Sequence, residues 1–290
     1  MSTNLLRFLT LSSALAAVGA ANLAVSPLPT AGQTPSAGNV ASNTTPRGAA
    51  RTTEATSEAD PRIVEADDLY WEYRVTESLV LLEDVLDVEP DIYDALWSAA
   101  RSAVAQGLLS RGNEIQNQWY RIGESYARRA TEVEPESLDG LYWLLTAKGL
   151  RAAQTGGREA AALGGEVYDL AHTVLEKDSL HAGALHALGV LNYRIRRLSG
   201  VQRFVAQNFM GGHIIGLTSW EDAERYLKRA VELRPEYILF RLDLGKLYLH
   251  RGPDEEARRQ LERALELPEL EPPDWRFQAN AERRLEEVLD

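Results

Sequence analysis

From residue 61 onward, apolar side chains recur every three or four positions, the spacing of one helix face. No stretch alternates convincingly with a period of two. The helical pattern is interrupted at Glu89-Pro90-Asp91, Glu134-Pro135-Glu136, Lys177-Asp178-Ser179, Arg234-Pro235-Glu236 and Gly252-Pro253-Asp254. Proline is tolerated in the first turn of a helix but not in its interior, so these breaks separate successive helices. The pattern predicts an all-α chain.

The last two units expose a period. Trp220-Glu-Asp-Ala223, Leu227 and Ala230 are repeated by Asp254-Glu-Glu-Ala257, Leu261 and Ala264, each pair 34 residues apart. That is the tetratricopeptide period, a helix–turn–helix unit whose small residues allow its two helices to pack closely. Leu242, Gly245, Tyr248 and Gly252 supply the first helix of the last unit. Leu185, Leu188 and Gly189 open an earlier one, but Ala223 follows Gly189 by 34 residues where Ala257 follows Gly245 by 12, an insertion of 22. Ala147 with Tyr168, Ala171 and Leu175 forms a second unit, and Trp97 and Ala100 with Tyr126, Ala127 and Ala130 a first. A leading helix over 69–86 and a trailing one over 275–289 would cap the ends. The expected fold is an all-α, tetratricopeptide-like solenoid of about four repeats over 61–290, with an inserted amphipathic helix and loop.

The first sixty residues read differently. One cation, Arg7, precedes an uncharged apolar run over 8–18, and Val18 and Ala20 suit a cleavage site after Ala20, so 1–24 reads as an export signal. The alternative is a membrane anchor over 8–25, whose length is at the lower limit for spanning a bilayer. Residues 25–60 are rich in Ser, Thr, Ala, Pro and Gly and read as a flexible tether. The expected location is periplasmic or extracellular.

Charge is segregated along the chain. Residues 54–94 hold fourteen acids against Arg62 and Arg74, a balance equal to the net charge of −12 of the whole chain. Residues 179–220 hold no acid, yet keep Arg194, Arg196, Arg197 and Arg203. Within that stretch Val201, Phe204, Val205 and Phe209 share one helical face, and Ile214 and Ile215 follow in an apolar loop. Two readings stay open: a plug packed into the repeat, or an apolar site rimmed by the four arginines for an anionic lipid or amphiphile. The acidic segment reads first as the solvated face of a capping helix.

Composition narrows the chemistry. The chain has no cysteine, which excludes disulfides, thiolate metal sites and cysteine nucleophiles. Its five histidines form no His-Glu-x-x-His motif, and neither a nucleophile elbow nor a phosphate-binding loop occurs. No metal, no cofactor and no catalytic residue is expected. A pI near 5 argues against nucleic acid as a partner.

The order of units resembles the regulator-of-microtubule-dynamics family over roughly residues 90–266. His186-Ala187-Leu188-Gly189, Leu198-Ser-Gly-Val-Gln202-Arg203, Trp220-Glu-Asp-Ala223 and Leu244-Gly245-Lys246-Leu247-Tyr248-Leu249 carry the resemblance. It implies a non-enzymatic repeat protein. Some members are linked to microtubules, and one tethers organelle membranes and binds phospholipid in its repeat domain. Ser179 stands where a repeat-ending proline is usual, and Gly200-Val201 where aromatic residues are.

The residues themselves point to a binding scaffold: a peptide or helix of a protein partner laid along the first helices of successive repeats. Candidate groove positions are Tyr142, Trp143, Lys148, Asn192, Tyr193, Arg196, Arg241 and Lys246. The alternatives are an amphiphile carrier using the 198–217 insertion and an accessory binding subunit of a solute-uptake system.

Overall fold

The structure, a computed structural model, describes residues 60–209 and 213–289. The export signal and tether expected over 1–60 lie outside the described residues, apart from Asp60. Among the described residues there are twelve α-helices, one 3-10 turn and no strand. They are α1 (Pro61–Trp71), α2 (Val75–Val88), α3 (Tyr93–Leu109), α4 (Asn113–Val133), α5 (Leu138–Gln154), α6 (Gly157–Lys177), α7 (Ala182–Arg197), α8 (Gly200–Phe209), α9 (Trp220–Leu233), α10 (Ile238–Arg251), α11 (Asp254–Glu266) and α12 (Asp274–Leu289); the 3-10 turn is His213–Leu217.

Local chemistry sets several of these boundaries. Asp60 accepts a 2.9 Å hydrogen bond from Arg62 N and Pro61 occupies the first helical position, so α1 starts with both favoured residues. Ser219 caps α9 by accepting from Asp222 N at 2.9 Å, and Glu221 and Asp222 favour the positive end of the helix dipole. α10 ends at Gly252, whose φ of 73° suits a residue without a Cβ.

The helices pair as four hairpins: α3 with α4, α5 with α6, α7 with α9, and α10 with α11. Each first helix also touches the next one, α3 to α5, α5 to α7 and α7 to α10, so α3, α5, α7 and α10 form a continuous inner layer. The 22-residue insertion is α8 and the turn after it, set between the two helices of the third repeat. Small residues set the spacing within a repeat. A Cβ on Gly189 would stand 2.6 Å from Leu227 Cγ, and one on Gly245 2.8 Å from Leu261 Cδ2. These are equivalent crossings one repeat apart, and Leu227 and Leu261 are both fully buried there.

The leading element differs from the expectation of one helix over 69–86. It is two helices, α1 and α2, folded against each other. Tyr73 adopts φ 67°, Tyr73 N donates to Tyr70 O at 3.0 Å, and Arg74 N donates to Leu69 O at 2.9 Å. This is a helix-ending turn that glycine usually occupies. Because a tyrosine holds the position, and apolar periodicity runs across it, the sequence shows no break.

Gly245→Val would force a side chain against Leu261 and should destabilise the domain by about 1–3 kcal/mol, an overpacking cost. Gly200→Ala, which meets nothing within 4 Å at its Cβ, should be neutral or slightly stabilising. Urea unfolding of the two variants checks the contrast.

Candidate functional site

The inner layer brings some candidate groove residues together and turns others inward. Tyr142 lies on it, its ring against Gly183 and 4.9 Å from the His181 ring. Trp143 is half-buried against Ala100, Ala127 and Leu144. Tyr193 donates to Lys246 O at 3.3 Å, and Lys246 Nζ donates to Asp243 at 2.9 Å, so α7 and α10 meet there. His186, stacked on Phe240, holds the other Asp243 oxygen at 2.9 Å. Arg241 donates to Pro235 O and to Gln260.

Lys148 and Asn192 point away from the groove. Lys148, 5 % exposed, bonds Glu124 at 2.9 Å and also pairs with Glu166, while Arg151 and Arg128 hold the same Glu124 carboxylate. It is a tie between α4, α5 and α6. Asn192 donates to Leu188 O and accepts from Ser219 N at 3.0 Å, joining α7 to the start of α9.

The insertion divides into two halves. Ile214 and Ile215 are buried with Ile195 against Tyr168, Leu191 and Ala206. Val201 and Phe204 on α8 are 75 % and 60 % exposed, Val205 is half-buried, and the Phe209 side chain lies outside the described residues. The arginines have separate tasks. Arg203 donates to Arg196 O at 2.9 Å and to Leu198 O, closing the end of α7, and Arg197 stacks over the Tyr193 ring. Arg194 lies within electrostatic reach of Asp243, and Arg196 Nε is buried without a hydrogen-bond partner.

The inner layer also carries a segment that sequence reasoning missed. Between α11 and α12, residues 267–273 leave the last repeat and reach the first. Tyr73 Oη donates to Glu269 O at 3.2 Å, and Arg276 donates to Ser110 O at 2.7 Å and to Leu108 O at the end of α3. Pro272, Pro273 and Asp274 are buried. Tyr237 donates to the Glu271 carboxylate. Asp274 accepts from Leu270 N and Glu271 N, both at 2.9 Å, which shapes the turn. Arg101, Arg234, Tyr70 and Tyr142 all lie within electrostatic reach of Glu271.

Comparison with known proteins fits this architecture. The sequence model of the family described as Regulator of microtubule dynamics protein 1-3 matches residues 63–289. The chain belongs to this family. Regulator of microtubule dynamics protein 1 of Caenorhabditis elegans is 25% identical over 184 residues, 63% of this chain and 80% of that protein. Among solved structures, TTC0263, a tetratricopeptide protein of Thermus thermophilus, superposes with a TM-score of 0.55 at 21% identity. The match covers 78% of this chain and 97% of that one, and shows the fold. The protein MamA is similar at a TM-score of 0.41, 14% identity, and 69% and 92% coverage.

In this regulator-of-microtubule-dynamics chain, the match extends beyond the motifs around 90–266 to include α1, α2 and α12. Electrostatics sort its buried acids into two kinds. Burial pushes the Glu124 carboxyl up, but hydrogen bonds from Lys148 and Arg151 outweigh it and hold the group below the usual carboxylate range. Burial likewise opposes ionisation of Asp243, and Lys246 and His186 overcome it. At Glu271 burial wins: the carboxyl is raised despite Tyr237 and the two arginines. Tyr142 is pushed up to about 12, by burial first and then by Glu271.

The signs give opposite pH responses. Ionised Glu124 and Asp243 stabilise the fold above the ordinary carboxylate range, and that stability is lost as pH falls through their depressed values. Glu271 binds its proton more readily when folded, so its share of stability grows as pH falls through the raised value toward the ordinary one. Glu271→Gln keeps an acceptor for Tyr237 and removes the charge. It should raise stability at pH 7.5, with the gain shrinking at pH 5. Thermal unfolding at the two pH values checks this, and an equal effect at both would contradict it.

Proposed function

We propose that this chain is a non-enzymatic scaffold that captures a protein partner in the inner groove of its four repeats, in an extracytoplasmic compartment. One observation carries the reading. Along α3, α5, α7 and α10 the inner layer concentrates Arg101, Tyr142, His186, Tyr193, Asp243 and Lys246, polar and aromatic side chains of the kind that bind extended peptide. Repeat solenoids use such continuous inner surfaces for binding. The supports for export are the apolar run over 8–18 and the small residues that end it.

A photo-crosslinking residue placed at Trp97 or Tyr193 in the full chain should give discrete protein adducts, and one at Arg229, exposed on the second-layer helix α9, should give none. Adducts from Arg229 alone, or equal adducts from all three sites, would remove the groove assignment.

A second reading is favoured by Val201 and Phe204, which α8 holds exposed beside the acid-free, arginine-bearing stretch. It makes the insertion a contact for an anionic lipid or amphiphile. Native mass spectrometry of the chain purified without detergent reads both extensions. A mass lacking about twenty N-terminal residues is expected for a cleaved leader. An adduct that Val201→Ser/Phe204→Ser removes is expected for the amphiphile reading. The intact mass without adduct opposes both.

A further inference from the structure

Part of the same chain docks on the inner layer, at Tyr237 and near Arg101. Residues 267–274 are not a short inter-repeat turn: they leave α11, bury Pro272 and Pro273, and bring the Glu271 carboxylate to Tyr237 at the start of α10. They are anchored at both ends of their path. Tyr73, held at φ 67° by the turn that ends α1, aims its hydroxyl at Glu269 O, and Arg276 binds the terminal carbonyls of α3. A tyrosine retained in a left-handed position, with its hydroxyl on this segment, is a local cost that the docking contact helps to offset.

The fit is incomplete at one place. Arg101 is 6 % exposed, sits in the middle of α3 with its guanidinium 3.9 Å from the Tyr70 ring centroid, and is flanked by the rings of Trp71 and Trp97. Its Nη2 stands 2.7 Å from Asp67 Oδ1, yet neither Nη2 nor Nε has an acceptor in hydrogen-bond geometry. A buried guanidinium with unused donors in an aromatic setting suits a carboxylate. Glu271 is within electrostatic reach of Arg101, but its observed hydrogen bond is to Tyr237.

We propose that residues 267–274 are a self-ligand of the inner groove, displaced by a partner peptide that is extended, carries proline and brings a carboxylate to Arg101. The inference rests on the groove reading above and adds the chemistry of the partner and the means by which the groove is kept closed. The self-ligand has the advantage of covalent attachment, which gives it a high effective concentration. The partner has the advantage of giving Arg101 an acceptor in hydrogen-bond geometry, which its ion pair with Asp67 does not supply and the self-ligand does not add. The resting chain is therefore closed and opens by competition.

The test uses a labelled synthetic peptide, residues 265–276 of this chain (Leu-Glu-Leu-Pro-Glu-Leu-Glu-Pro-Pro-Asp-Trp-Arg), and two full-length proteins: the wild type and a variant with residues 268–273 replaced by a Gly/Ser linker of equal length. Fluorescence anisotropy should show binding to the linker variant at least about tenfold tighter than to the wild type. Alanine in the peptide at the Glu271 position, or at the Pro272 and Pro273 positions together, should lose about tenfold, and this change leaves the protein's own folding untouched. Circular dichroism and a cooperative melt establish that the linker variant is folded. A folded linker variant that binds no peptide, or equal binding by both proteins, overturns the self-ligand proposal. Inner-face photo-adducts to other proteins would survive either result, so failure here is distinguishable from failure of the groove reading.

Discussion

The architecture depends on how closely the two helices of each repeat can approach. Gly189 against Leu227 and Gly245 against Leu261 leave no room for a Cβ, and Gly123 faces Val104 and the Ala100 carbonyl in the same way in the first repeat. Close crossings set the packing of the first, third and fourth hairpins, and α3, α5, α7 and α10 stack side by side. A stacked inner layer places side chains from distant repeats on one surface. Without those crossings, Arg101, Tyr142 and Tyr237 would belong to unrelated parts of the chain. With them, one partly buried segment binds Tyr237 and comes within electrostatic reach of Arg101 and Tyr142.

That surface carries an electrostatic conflict between burial and charge. Glu124 and Asp243 are buried acids whose cationic neighbours more than compensate the loss of water, and they tie helices together. Glu271 is a buried acid whose neighbours do not fully compensate. Asp274 is raised as well, burial again the leading cause, although two backbone amides bind it. A segment docked with incompletely compensated charge is held less firmly than a helix core. The same region contains the unmet donors of Arg101. An arginine whose ion pair leaves hydrogen-bonding capacity in reserve, beside incompletely compensated acids, is the arrangement expected of a contact that can be exchanged.

The repeats were legible because they rest on periodicity and small residues, which are local signals: Ala223/Ala257 and Leu227/Leu261 gave the register, and Gly189 with Ala223 gave the size of the insertion. The amphipathic character of the insertion was legible from Val201, Phe204, Ile214 and Ile215, but not which of them would be covered: the structure buries the two isoleucines and leaves Val201 and Phe204 exposed. The break at Tyr73 was not legible, since its cause is a left-handed tyrosine in an uninterrupted apolar pattern. The roles of Lys148 and Asn192 were not legible either, because helical spacing places a residue on a face without saying whether a carboxylate or a carbonyl awaits it. The groove segment is long-range by nature: Tyr73 and Glu269 are 196 residues apart. Two local hints did exist, a lone cation inside the alanine-rich stretch around Arg101 and an unusually long proline-rich link over 267–273.

The acidic segment 54–94 shows how a bland explanation and a specific one coexist. Glu65, Asp68 and Glu72 are exposed, as a solvated capping surface requires. Asp67 nevertheless faces Arg101, and Glu83 accepts a 2.9 Å hydrogen bond from Tyr126. The leading helices therefore complete the groove as well as capping the solenoid. Closure of the groove by the C-terminal segment is the central claim, and the absence of cysteine from the chain makes it directly measurable. Spin labels on Glu72→Cys and Glu269→Cys in the full-length protein report the separation of the two ends of that contact. The account predicts a single short, narrow distance distribution. A broad distribution centred at long distance would show that the segment does not dock, and would contradict it.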